Sequence, residues 1–388
     1  MASKASFSIT EWLETHWATP AFSGWLLAGL ALCFFGAATN TMAGWLYVLS
    51  GTIAALLGLG AILSMRSLNH LQVRRHPITA VSAGDDLTID IIIQNTTKSP
   101  KNLLQLGDML PSVINKPQKT AIEVIPPQGE HHWTYYVPTE RRGVYHWHEV
   151  QLRSGSPLGL FWCRRTQEVP AKAVIYPQIL PLSRCPLVDT LGQDENDQMQ
   201  SDRRYQAANE GVTKALRPYR YGDPMRMIHW RTSARFEEFQ VRELEVITGG
   251  EEILIALDSG SQWTSDNFEQ GVIVAASLYF YASRAQLNVK LWTAKTGLIH
   301  GNRTVLETLA AVETEEGRKD PDLPKIPLIW ITENPATFNS LPPGSRWIMF
   351  SQEQDKIIPA FANALIGLMI NNEQPLTSQL QKPPLSFS

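Results

Sequence analysis

The densest chemistry in this chain lies between Gly211 and Glu245. From Lys214 to Arg235 there are six basic residues and one acidic residue, Asp223, with Tyr219, Tyr221 and Trp230 interleaved. Guanidinium groups at that density need water, carboxylate partners or an anion, and Glu243 and Glu245 follow closely enough to pair with them. Asp223, Arg226 and His229 could line a cleft and act on a phosphorylated or carboxylated substrate, with His229 as general base. No Ser or Cys nucleophile is placed beside them by a recognisable motif. The residues therefore favour a structural histidine and a helix-capping Asp223 over a catalytic pair.

Those side chains need an element to present them. Tyr221-Gly222-Asp223-Pro224 reads as a turn that starts a helix, with Asp223 at the cap and Pro224 at the first helical position. Arg226, Trp230 and Ala234 then share one face, and Ile228, Arg231 and Arg235 another. A basic stretch with aromatics could bind nucleic acid. The remainder of the chain is acidic, and net charge is −3 over 388 residues. An internal salt-bridge network or a partner-docking surface fits better, and no nucleic acid is expected.

Other candidate ligands are sparse. His131, His132, His146 and His148 invite a metal reading, but no Cys or carboxylate joins them at ligand spacing. The three cysteines, Cys33, Cys163 and Cys185, are odd in number and include no CxxC. Free thiols in a reducing compartment follow, and the sequence calls for no cofactor.

Everything polar comes after two apolar runs. Ala21–Ala38 is uncharged over eighteen residues and Met42–Met65 over twenty-four. About 20 apolar residues span the hydrocarbon core, so each run can cross a bilayer. Thr39, Asn40 and Thr41 separate them as a tight turn. Lys4 precedes the pair, Arg66, Arg74 and Arg75 follow it, and the turn holds no Lys or Arg. Both ends and the whole remainder are therefore expected in the cytoplasm, tethered to membrane lipid. Gly44, Gly51 and Gly58 recur every seven residues, a packing seam within the hairpin or between protomers. Ile9–Trp17 reads as a short interfacial helix or a frayed terminus.

The expected architecture is α+β and multidomain. Residues 1–20 form a flank, 21–65 two transmembrane helices, and 76–180 an antiparallel β-sandwich. Leu87, Ile89, Ile91 and Ile93 alternate with more polar neighbours, and turn clusters punctuate the run. Residues 186–207 read as a polar linker and 208–250 as the arginine-rich block. Over 251–370, continuous apolar strands alternate with helices, which argues a parallel sheet covered on both faces. Ile357–Met369 reads as its closing helix, and the tail 371–388 as disordered.

The block resembles a bacterial family catalogued as domain of unknown function 58. The family pattern Arg-x-Tyr-x-x-Gly-Asp-x-x-Arg-x-Ile-His-Trp-x-x-x-Ala-Arg is matched by Arg217, Tyr219, Gly222, Asp223, Arg226, Ile228, His229, Trp230, Ala234 and Arg235. Arg142-Gly143-Val144-Tyr145 and Ser156-Pro157-Leu158-Gly159-Leu160-Phe161 look like its upstream strand signatures, with Ser156 in place of an aspartate. The resemblance implies a membrane-anchored protein and a C-terminal region like a degenerate von Willebrand factor A domain. It implies partners such as MoxR-type AAA+ ATPases, near which members are often encoded, and no established catalysis. The metal motif Asp-x-Ser-x-Ser of such a domain falls on Asp258-Ser259-Gly260-Ser261-Gln262, where only the aspartate is in phase, so no metal is expected. The reading is of a non-enzymatic interaction or scaffold protein. The alternative is an enzyme acting on an anionic substrate at Asp223, Arg226 and His229.

Overall fold

The computed structural model describes residues 14–15, 17–190, 212–219, 225, 228–236, 238–245, 252–317, 326–350, 366–371 and 373–384. They fall into two units, Met1–Tyr176 and Pro177–Ser388.

The first unit opens with a two-residue strand, β1 (Thr19–Pro20), and two helices, α1 (Phe22–Thr41) and α2 (Gly44–Ser67). Both helices are long and apolar enough to cross a membrane, and 17% of each apolar window is buried inside the protein. The turn between them is Met42-Ala43 rather than Thr39–Thr41. Thr39 and Thr41 donate their hydroxyls to the carbonyls of Gly36 and Ala37, which keeps α1 helical to its last residue. The glycine seam does not form within the hairpin: nothing lies within 4 Å of a Cβ built at Gly44, Gly51 or Gly58. The helices meet instead through Ala31, Ala38, Leu46 and Ser50, and Ser50 Oγ donates to Ala31 O at 2.9 Å.

The sandwich starts earlier than residue 76. β2 (Leu71–Arg75), β4 (Asp86–Asn95) and β7 (Glu130–Pro138) form one antiparallel sheet, in the order β2-β4-β7. The other sheet runs β1-β9-β8-β5-β6, with β5 Lys101–Asp108, β6 Gln118–Ile125, β8 Gly143–Ser154 and β9 Phe161–Tyr176; β3 (Val81–Ser82) pairs with β9. Period-two burial is strict on β4, where Leu87, Ile89, Ile91 and Ile93 are fully buried. They pack with Leu106, Val150, Leu152, Cys163 and Ala173 of the other sheet. Each such side chain contributes about 2 kcal/mol by leaving water.

One charged pair sits inside this core. Arg75 Nη2 and Asp108 Oδ1 are 2.6 Å apart, with side chains 2% and 0% exposed. Tyr135 OH (2.6 Å) and Trp147 Nε1 (3.0 Å) also donate to the Asp108 carboxylate. Arg75, counted above among the charges flanking the hairpin, thus spends its charge inside the sandwich. Burial and the Asp108 carboxylate push the Tyr135 hydroxyl's pKa up, so it stays a neutral donor.

The second unit is built on β12 (Glu252–Leu257), β13 (Asn288–Thr293), β14 (Gly297–Ile299), β15 (Leu328–Thr332), β16 (Arg346–Phe350) and β17 (Gly367–Ile370). Their order is β14-β13-β12-β15-β16-β17, parallel except for β14. Numbered within the sheet this is 3-2-1-4-5-6, the doubly wound order. β12, β15 and β16 are buried along nearly their whole length, as strands covered on both faces must be. The helices Ser265–Arg284 and Asn302–Ala311 supply apolar cover for one face, and Trp292, Trp330, Phe338 and Trp347 cluster on the other.

Three expectations fail here. The segment 186–190 is helical, and Leu187 and Val188 are core residues, so the linker does not begin at Pro186. The expected helix Ile357–Met369 ends instead in strand β17, because its last apolar residues continue the buried sheet; 351–365 lie outside the described residues. The tail is ordered at Leu376–Leu380, with Leu380 fully buried. Burial of that one leucine and Gln379 hydrogen bonds to Asn371 hold a segment whose composition reads as disordered.

Candidate functional site

The arginine-rich block is organised by a two-stranded ribbon. β10 (Val212–Pro218) pairs antiparallel with β11 (Gln240–Glu245), Arg217 opposite Val241, with an irregularity between Thr213 and Ala215. Pairing continues through Tyr219 N–H, which donates to Phe239 O at 2.8 Å. On the other side of β11, Ile228 bridges Val241, and both are 3% exposed. His229 N–H then donates to Gln240 O at 2.8 Å.

The expected helix start, 221–224, lies outside the described residues, and Met225 sits in a 3-10 turn. α3 spans Trp230–Phe236, and Ile228 and His229 are extended because they pair with β11. A backbone committed to a strand neighbour cannot also be helical. His229 caps α3. Its carbonyl accepts from Thr232 N, Ser233 N and Ser233 Oγ, all at 3.0 Å. Its Nδ1 lies 2.7 Å from Thr232 Oγ1 and accepts from Thr232 N–H at 3.3 Å. Ser233 Oγ in turn accepts from Gln240 N at 2.8 Å, tying α3 to β11.

A recess of about 750 Å³ opens beside this helix, lined by Pro218, Tyr219, Trp230, Ser233, Ala234, Glu238 and Phe239. Its three rings meet edge to face: Tyr219–Phe239 at 6.3 Å and Trp230–Phe239 at 6.1 Å between centroids. Trp230 is 58% and Phe239 55% exposed, and Met225 and Leu216 add further apolar surface.

The structure therefore brings Tyr219, Trp230 and Ala234 together, and places His229 at the cap beneath them. Arg217 lies in β10, and Arg235 is exposed in the last turn of α3. Gly222, Asp223 and Arg226 lie outside the described residues. Ser233, Glu238 and Phe239 were missed, because Ser233 is a variable position of the family pattern and Glu238 and Phe239 lie past its end. The exposed Phe flanked by Glu238 and Gln240 was the available signal.

A second polar centre lies at the carboxyl end of β12, beside β15, where the sheet order reverses. Asp258 is fully buried. Its Oδ2 accepts from Ser261 Oγ at 2.7 Å and Thr332 Oγ1 at 2.9 Å, and its carbonyl accepts from Trp263 Nε1 at 2.7 Å. Ser261, out of phase for the metal motif, is thus the serine that reaches the carboxylate. Next to it, Glu333 accepts from Thr264 N and Oγ1 and Asn267 Nδ2, at 2.7–2.9 Å, at the start of the helix Ser265–Arg284. Among the described residues no group of three or more His, Cys, Asp or Glu is placed to hold a metal ion. His131 and His132 sit on β7 in one sheet, and His146 and His148 on β8 in the other.

The model of the family described as protein of unknown function DUF58 matches residues 215–318. That segment thus carries the DUF58 pattern. The matched segment takes in the aromatic recess and, of the second centre, Asp258, Ser261 and Trp263, while Thr332 and Glu333 lie beyond it. Over 226 residues the chain is 25% identical to the uncharacterized protein YeaD of Bacillus subtilis strain 168, which covers 57% of this chain and 54% of that one. The chain thus spans about half the length of that relative. Among solved structures it is similar to the CARDB domain of PF1109 from Pyrococcus furiosus, at 10% identity and TM-score 0.18, covering 26% of this chain and 94% of that one. It is also similar to a protein of unknown function from Porphyromonas gingivalis W83, at 17% identity and TM-score 0.19, covering 28% and 48%. Likenesses this slight carry no argument.

Proposed function

We propose that this chain is a membrane-anchored interaction protein without catalysis of its own. The helical hairpin crosses the cytoplasmic membrane with both ends inside, and the sandwich and the α/β unit work in the cytoplasm. The aromatic recess of the signature block receives a segment of a MoxR-type AAA+ ATPase or of another membrane protein.

The observation that carries this reading is the recess itself. Trp230 and Phe239 are each more than half exposed. Large aromatics left in water beside a concave wall are the composition of a docking hot spot. His229, the best candidate for acid–base work, has Nδ1 engaged at the cap, which favours docking over turnover. We read the C-terminal sheet as a von Willebrand factor A-like domain with a degenerate metal site. The doubly wound order and an aspartate ending its first strand support that, and Gly260 and Gln262 leave the cation short of ligands.

The test is affinity capture of the full chain from detergent extracts, comparing wild type with Trp230→Ala/Phe239→Ala. Wild type is expected to recover the ATPase and the double variant to lose it. Repeated failure of the wild type to capture any AAA+ ATPase counts against this partner, and equal capture by both proteins counts against the recess.

A further inference from the structure

The loop from β8 to β9, over 155–160, is bound to the ends of both apolar helices. Ala21 N–H donates to Leu160 O at 2.8 Å. Ser23 Oγ donates to Gly159 O and Ser64 Oγ to Phe161 O, each at 3.1 Å. Two glycines make room for it. A Cβ at Gly24 would stand 2.3 Å from Leu160 O, and one at Gly60 would touch Phe161, Leu158 and Leu160 at 3.6–3.8 Å.

Depth gives this contact its meaning. Gly60 lies five residues inside Met65, where the uncharged run ends. At the helical rise this is about 8 Å along the axis. Non-helical backbone survives at such depth only where protein satisfies its polar groups. Here three successive carbonyls, of Gly159, Leu160 and Phe161, are taken by donors from the hairpin, and Gly159 N–H closes onto Gly155 O at 2.8 Å. The outward side chain is apolar: Leu158 is 48% exposed, and Phe22 and Trp25 near the start of α1 are 86% and 67% exposed.

We infer that Leu158–Phe161 is a membrane-inserted wedge that packs Leu158 against lipid acyl chains in the leaflet at the open end of the hairpin. The sandwich is thereby seated on the bilayer surface rather than hanging from a flexible tether. This rests on the hairpin spanning the membrane, so the test separates the two.

An environment-sensitive fluorophore is attached to Leu158→Cys, Leu56→Cys or Glu140→Cys in the full chain carrying Cys33→Ser. Cys163 and Cys185 are buried and do not compete for label. Leu56 reports the middle of α2, and Glu140 is exposed in the turn before β8, at the opposite end of that strand from the loop. The proteins are reconstituted into phosphatidylcholine vesicles with and without nitroxide-labelled acyl chains. Blue-shifted emission and lipid quenching at 158 and 56, with neither at 140, is the expected result. Quenching at 158 by aqueous iodide alone, with 56 still lipid-quenched, overturns the wedge and leaves the span. Iodide access at 56 overturns both.

Discussion

Truncating Asp108 to alanine leaves the Arg75 guanidinium charged, 2% exposed and without its carboxylate. Val169 O, at 2.7 Å from Nη1, and the Trp147 ring, 5.2 Å below, are the remaining neighbours, and neither neutralises the charge. Breaking a buried pair in this way costs about 3–5 kcal/mol. The Tyr135 hydroxyl and the Trp147 indole lose the same acceptor. Because all three donors share one carboxylate, their losses overlap rather than add. We expect about 4 kcal/mol in total, or roughly 20 °C of melting temperature for a domain near 100 residues. Replacing the whole cluster with apolar side chains (Arg75→Met, Asp108→Leu, Tyr135→Phe) should recover most of the loss, since the desolvation penalty disappears with the charges. Hydrogen exchange at the β4 amides, measured on the detergent-solubilised full chain, isolates the sandwich from the second unit. A loss below about 1 kcal/mol for Asp108→Ala refutes the reasoning, given the magnitude expected of a buried pair. So does a triple variant no more stable than the single one.

Gly24→Val should detach the 155–160 loop, because the new Cβ meets a backbone carbonyl at 2.3 Å that cannot rotate away; faster proteolysis within that loop is the readout. Glu333→Ala should destabilise the second unit by about 2 kcal/mol, since three donors at the start of the helix Ser265–Arg284 lose their acceptor, and denaturant melts measure it. Burial raises the Cys185 thiol from 9.0 to about 11, so the folded state holds a proton that the unfolded state gives up. That stabilisation is complete below pH 9 and is lost as pH climbs through 11, so thermal melts should fall steeply across this window and less so in Cys185→Ala. Trp230→Ala/Phe239→Ala should change stability by less than about 1 kcal/mol, because both rings are mostly in water, while abolishing partner capture.

Patterns carried by chemistry at short range were readable from the chain alone. Two uncharged runs imposed helices. Strict alternation at Leu87–Ile93 specified a half-buried strand, and the unbroken run Ile253–Leu257 specified one buried on both faces. The family pattern led to Tyr219, Trp230 and Ala234. Errors arose where a distant partner outbid local preference. Ile228 and His229 are extended because β11 offers them hydrogen bonds, so no helix runs through them and α3 begins at Trp230. Leu380 orders a tail of polar composition because the second unit's core has room for one more leucine.

The deepest surprises were charges and glycines whose meaning depends on a neighbour far along the chain. Arg75 looked like one more positive flank of the hairpin, until Asp108, thirty-three residues on, neutralised it inside the sandwich. Gly24 and Gly60 looked like ordinary membrane-helix glycines, until a loop almost a hundred residues beyond Gly60 came to rest on both. Local pattern sets what a segment can become, because propensity and polarity act over a few residues. Which carboxylate meets which guanidinium, and which loop fills which groove, was settled only when sheet pairing brought those segments within a few ångströms.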